Sequence, residues 1–176
     1  LSLLLGLADR QRSPKGMNSK MWPFSRKQLD ISTLPKLSDH SQSWGVAQAN
    51  VDSSPLIIRY NESARRWLGH PELPIKLGFA IPLNSPNEGG LPDPDENEEL
   101  NDIEDVVVSE IESRTRALQA MALTTGVMKE FVFYIPKGVD IKSIHEAIQA
   151  AVATHEVQCM AMNEPKWDSY RQFVPN

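Results

Sequence analysis

The sequence predicts an α+β two-layer sandwich with a ferredoxin-like βαββαβ core over residues 74–162, preceded by an extra β-hairpin. Three observations predict it. Two segments carry apolar residues at helical spacing. Short stretches of alternating apolarity stand before, between and after them. Read from residue 74, the order is strand, helix, strand, strand, helix, strand: a split βαβ arrangement whose crossovers set both helices on one sheet face.

The elements follow in order. Ser43-Trp-Gly-Val-Ala-Gln-Ala-Asn50 and Pro55-Leu-Ile-Ile-Arg-Tyr60 read as two strands joined by the polar turn at 52–54. Asn61 is placed to cap a short helix from Glu62 to Leu68, which Gly69 and Pro71 terminate. Residues 74–83 make the third strand, with Ile75, Leu77, Phe79 and Ile81 on one side, and Asn84 to Pro94 is a surface loop rich in Pro, Gly and Asn. Asp93-Pro-Asp-Glu96 opens a helix, with Asp93 at the N-cap, Pro94 at N1 and Glu96 closing a capping box. Leu100, Ile103, Val107 and Ile111 then share a face to about Arg116.

Leu118 to Thr124 and Val127 to Ile135 form a hairpin turning at Thr125-Gly126, with Phe131, Phe133 and Ile135 alternating with Val132 and Tyr134. Ile141, Ile144, Ala147, Ile148, Ala151 and Val152 give the second helix, Asp140 to about Thr154, its buried stripe. Glu156 to Met162 is the last strand. The tail concentrates Trp167, Tyr170 and Phe173 in a chain only 7% aromatic, so it is expected to be pinned to the folded body.

At 176 residues and 40% hydrophobic content the chain can bury one core, read as a single domain over residues 37–176. The net charge of −5 conceals an asymmetry. Residues 88–112 hold 11 of the 23 acids and no Lys or Arg, while the first 36 residues hold seven basic residues against Asp9 and Asp30. Residues 1–36 are therefore read as a flexible basic segment. Leu1-Ser-Leu-Leu-Leu-Gly-Leu-Ala8 resembles the apolar end of a signal peptide, but without a preceding Met or basic region, and it falls well short of the ~20 apolar residues of a membrane span. Met21-Trp-Pro-Phe-Ser-Arg-Lys27 reads as a natural start, which makes the first 16 to 20 residues upstream sequence; a truncated signal or anchor is the alternative. The expected compartment is the cytoplasm. One cysteine, Cys159, rules out an internal disulfide.

Signals of chemistry are thin. Asp93, Asp95, Asn97 and Glu104 match positions 1, 3, 5 and 12 of a calcium loop, but Glu98 stands where a glycine must turn the chain. The helix dipole explains the same acids, so no metal and no cofactor is expected. His40, His70, His145 and His155 form no ligand spacing. His145 is placed near a solvent edge, His155 at a helix end where the dipole favours its cation, and Cys159 in mid-strand as an inert thiol. Neither a nucleophile elbow nor a phosphate-cradling loop is present. Glu130-Phe-Val-Phe-Tyr134 has the aromatics of an RNA-binding sheet but not its glycine or leading base; alternation leaves Val132 and Tyr134 outside. With an acidic net charge, DNA binding is not expected and RNA ranks last.

Trp44 opening a strand, Pro55-Leu-Ile-Ile-Arg-Tyr-Asn61, Leu123-Thr-Thr-Gly126 before Glu130-Phe-Val-Phe-Tyr134, and the tail Trp167-Asp-Ser-Tyr-Arg-Gln-Phe173 together resemble a bacterial domain-of-unknown-function family, number 695, over about residues 41–175. The resemblance implies no activity that could be carried to a residue. Trp167 and Tyr170 also echo the Trp-x-x-Tyr near the C-terminus of the ribonuclease E inhibitor B family, whose acidic N-terminal pattern is not reproduced here.

Three functions are carried forward. The first is a non-catalytic protein-binding or regulatory module whose partner has a basic surface, docking on Glu98, Glu99, Asp102 and Asp105 with Trp167 and Tyr170. The second is a small-molecule enzyme using Arg59, Glu130, Tyr134 and Asp168. The third is an RNA-associated or ribonuclease-regulating module.

Overall fold

The computed structural model describes residues 29–51 and 53–174, so most of the basic N-terminal segment lies outside the described residues. Six strands build one sheet: β1 (Trp44–Val51), β2 (Ser54–Asn61), β3 (Ile75–Pro82), β4 (Leu118–Thr124), β5 (Met128–Ile135) and β6 (Gln158–Asn163). Their order is β1-β2-β4-β5-β3-β6, and every neighbouring pair is antiparallel. The α-helices among the described residues are α1 (Pro94–Glu112), α2 (Ile141–Ala151) and α3 (Asp168–Phe173). The α+β expectation holds.

Alternation along the strands divides the apolar side chains between two cores. Leu77, Phe79 and Ile81 of β3, with Phe131, Phe133 and Ile135 of β5, meet Leu100, Ile103, Val107 and Ile111 of α1 and Ile144 and Ile148 of α2. Both long helices therefore cover the same sheet face. The opposite face carries Leu56, Ile58 and Tyr60 of β2 and Val132 and Tyr134 of β5, capped by Trp67, Trp167 and Tyr170. Leu29, Ile31 and Leu34 pack onto this second core from the N-terminal side.

Helix α1 starts where its cap signals place it. Asp93 Oδ1 accepts from Glu96 N–H at 2.9 Å, satisfying one of the orphan donors of the first turn. The reciprocal half of the capping box is absent. The Glu96 carboxylate accepts instead from the backbone N–H of Asn84 and Ser85 at 2.5 and 3.3 Å, tying the loop after β3 to the helix. The helix stops at Glu112 rather than near Arg116, and α2 spans Ile141–Ala151, with Asp140 as its N-cap and its end short of Thr154.

Residues Glu62–Trp67 wind as a 3-10 helix rather than an α-helix. Asn61 stands at its N-cap position without a capping bond, and its Nδ2 donates to Gln42 and to the Gln119 carbonyl. In β4 the register shifts between Gln119 and Met121. This bulge changes the strand's parity, so Leu118, Met121 and Leu123 all enter the second core while Gln119 and Ala122 turn toward the helices. Gly126 closes the β4–β5 turn beside the backbone of Asn87, where an added Cβ would stand 1.9 Å from the Asn87 carbonyl oxygen. Only glycine permits that approach.

The tail is pinned as its aromatics predict. Trp167 is fully buried in a left-handed conformation (φ 57°), and its Nε1 donates to the Leu73 carbonyl at 2.9 Å. Tyr170 is 2% exposed and donates from its hydroxyl to the Asn61 carbonyl at 2.6 Å.

Candidate functional site

Beyond the layer of long helices the sheet continues. Strands β1 and β2 carry Trp44, Val46, Ile57 and Arg59 on the helix-bearing face, yet neither α1 nor α2 covers them fully: Val46 is 69% exposed. The step between this hairpin and the side of α1 forms a cleft of about 770 Å³. The segment 37–42 closes one end. It is strapped to the helix by Ser38, whose N–H and Oγ both donate to the Glu112 carboxylate, at 2.8 and 3.0 Å.

Polar groups on four elements converge in the cleft. Arg59 of β2 lies with its guanidinium 4.9 Å from the centroid of the Trp44 ring and pairs with Glu104 of α1. Gln119 of β4 donates to the same Glu104 oxygen at 2.5 Å. Behind them the buried Lys129 of β5 donates to Asn101 Oδ1 at 2.7 Å, and its ammonium lies 5.6 Å from the centroid of the Phe131 ring. Burial pushes the Lys129 pKa down, the charge of Glu104 partly restores it, and Arg59 lowers it further. Glu104 is thus a carboxylate paired with Arg59 and close enough to act on the Lys129 charge. Asn61 reaches the same region from β2; it is fully buried, and its Oδ1 has no hydrogen-bond partner.

The expected binding residues separate into two groups. Glu98, Glu99, Asp102 and Asp105 are all exposed on α1, forming one acidic surface whose Asp105 lines the cleft. Trp167 and Tyr170 lie on the opposite face of the sheet inside the second core, where the tail packs, and offer no open ring surface. The expected enzyme pocket does not assemble either. Glu130 and Tyr134 share the face opposite Arg59, both buried, while Asp168 is exposed on α3. Tyr134 donates instead to Glu164 at 2.5 Å, and Glu164 accepts from Ser169 at 2.6 Å; Lys76 joins them through Ser169 at 2.9 Å. That buried network anchors the tail.

The expectations for the outer face of β5 and for His155 change too. Val132 and Tyr134 are not outside, because the C-terminal helix and the Trp67 turn cover them; both are fully buried. His145 is held by the Val157 carbonyl, to which its Nε2 donates at 2.8 Å, and it lies beside Phe79. His155 does not serve the C-terminus of α2. Its buried ring faces the start of α1, with Nε2 3.3 Å from Glu96 and Nδ1 3.9 Å from Glu99. Cys159 is half-buried in β6, and burial pushes its thiol up to about 11.

Sequence reading missed Gln119 and Lys129, and met Glu104 only as the rejected twelfth position of a calcium loop, never as a cleft residue. Two of them carried a signal. Glu104 falls within the apolar stripe of α1, between Ile103 and Val107, and Lys129 shares strand parity with Phe131 and Phe133. A charge at a core position needs a partner, and each of these is the other's electrostatic neighbour. Gln119 carried none, because only the bulge turns it inward.

Among the described residues no group of three His, Cys, Asp or Glu is placed to hold a metal ion. None of their helices is long and apolar enough to cross a membrane. The fold and site define a six-stranded α+β domain with an acidic helix beside an open cleft. Residues 42–174 match the model of a family of unknown function, DUF695, and the chain belongs to that family. No curated protein and no solved structure matches it significantly.

Proposed function

We propose that this domain is a non-catalytic module that binds a protein partner through the acidic outer surface of α1 and the cleft beside it. The observation that carries the reading is the joint exposure of Glu98, Glu99, Asp102 and Asp105 on a helix that holds no Lys or Arg along its whole length. An uncompensated acidic surface favours a basic partner and speeds its approach. Of the α1 carboxylates in the cleft, Glu104 is taken up by Arg59 and Gln119 and Glu112 by Ser38, while Asp105 stays exposed and continues the acidic surface. Cytoplasm is the compartment we assign, in keeping with the unpaired Cys159. The strand order β4-β5-β3-β6, with α1 and α2 as the connections, supports a ferredoxin-like reading of the segment from β3 to β6.

A small-molecule enzyme is the second reading. The cleft volume of about 770 Å³ falls within the range of ligand pockets, and Trp44 and Arg59 could orient a ligand.

A tagged pull-down of the full chain from native lysate, with and without ribonuclease, tests the favoured reading. A stoichiometric protein that survives ribonuclease, and is lost when Glu98, Glu99, Asp102 and Asp105 are all changed to Lys, is the expected result. No enriched protein, or one indifferent to the charge reversal, overturns it.

A further inference from the structure

We infer that the groove between the β1–β2 hairpin and α1 receives a basic amphipathic helix of the partner. The inference rests on the binding-module reading and deepens it by naming the partner's surface. Neighbouring strands lie ~4.8 Å apart, so β1 and β2 extend the sheet by roughly 10 Å beyond β4, about the width of one more helix. The uncovered floor carries an apolar strip of Trp44, the exposed Val46 opposite Arg59, and the half-buried Ile57, bounded by the exposed Gln48 that pairs with Ile57.

The wall has the opposite character. Asn101, Asp105, Val108 and Glu112 line the cleft at helical spacing, and the exposed Glu98 continues the row one turn earlier. The segment 37–42 occupies the Glu112 end, so the open part of the row runs from Glu98 to Val108, roughly 15 Å at 1.5 Å per residue, enough for about 10 residues of a facing helix. An occupant must therefore put an apolar stripe on Val46, Ile57 and Trp44 and Lys or Arg along its edge toward α1. The folded domain of a second copy suits the wall poorly, since residues 37–176 hold 11 basic residues against 21 acids and would meet like charge.

Two synthetic 18-residue Lys/Leu peptides of identical composition test this against the full chain. One spaces Leu at i, i+3, i+4 and i+7, and the other scatters it. The amphipathic peptide is expected to become helical on binding, by circular dichroism, and to shift the amide signals of Val46, Ile57 and Val108. The scattered isomer is expected to bind at least tenfold more weakly. Val46→Asp separates groove from charge: it adds attraction for a cation but spoils the apolar floor, so the groove predicts at least a tenfold loss. Equal binding of both isomers, or tighter binding to Val46→Asp, overturns the helix groove even if Asp102→Lys abolishes both. That pattern leaves the acidic docking surface standing. Absence of binding by either peptide also overturns the groove, and the lysate pull-down then judges the module reading on its own.

Discussion

Tyr134 and Trp167 stack with ring centroids 3.8 Å apart and planes 4° from parallel. One ring belongs to a central strand and the other to the residue that opens the C-terminal helix, so this contact closes the second core with the last aromatic segment of the chain. Trp167→Ala should cost about 3–5 kcal/mol, from lost burial and the cavity left behind. Trp167→Phe should recover most of the packing but not the bond to the Leu73 carbonyl, leaving a loss nearer ~1–2 kcal/mol. Urea unfolding of both variants measures the difference; equal losses would mean that the stack contributes little.

Alkali should unfold this protein through its phenols. Burial and the hydrogen bond to Glu164 raise the Tyr134 pKa, and burial pushes Tyr170 up to about 12. The folded state therefore holds protons that the unfolded chain releases near pH 10, so this stabilisation is complete below pH 10 and is lost as pH rises toward the folded values. Lys76 and Lys129, whose pKa values burial lowers, have the opposite sign, but their effect is exhausted above about pH 10.5. Between about pH 10.5 and 12, stability should fall by about 1.4 kcal/mol per pH unit for each phenol. Tyr170→Phe should reduce that slope by one phenol's share in urea titrations.

The Glu104 cluster predicts an asymmetry between its partners. Glu104→Gln leaves the buried Lys129 and Arg59 without that carboxylate, and should destabilise the fold by about 1–3 kcal/mol. Lys129→Met removes the buried cation and keeps its volume against Phe131, so it should be neutral or stabilising. The double variant should be less destabilised than Glu104→Gln alone. Chemical denaturation of the three proteins checks this; additive losses would mean that Glu104 and Lys129 do not interact.

Gly126→Ala places a methyl group where the Asn87 carbonyl oxygen stands, so the 84–94 loop must move. A loss of about 2 kcal/mol or more is expected, with hydrogen exchange accelerated at the Asn87 amide, which bonds Gly126. Wild-type exchange at Asn87 in the variant would show that the loop absorbs the methyl elsewhere.

Cys159 should alkylate slowly. With its thiol pushed up to about 11, roughly one molecule in a thousand is a thiolate at pH 8, against roughly one in four for an ordinary thiol. Iodoacetamide should modify the folded chain at least a hundredfold more slowly than the urea-unfolded chain at that pH.

The sequence by itself determined the elements and their order. Period-2 runs and two capped helical stripes are local patterns, and Asp93, Asp140 and the Phe131/Phe133/Ile135 alternation act within one or two turns of the chain. The acidic surface of α1 was legible for the same reason, because four exposed acids on one helix need no distant partner. Tertiary structure alone decided the rest. The bulge in β4 reverses a strand's parity and turns Gln119 toward Glu104, and a half-turn of register cannot be read from composition. Arg59, Glu104, Gln119 and Lys129 come from four elements that meet only when β2, β4 and β5 pair beneath α1, so no spacing along the chain announces the cleft. The tail's two aromatics were visible as apolar area, but which sheet face they cover depends on where the chain runs after β6. That choice placed Trp167 and Tyr170 inside the second core and left the outer side of α1 as the open surface.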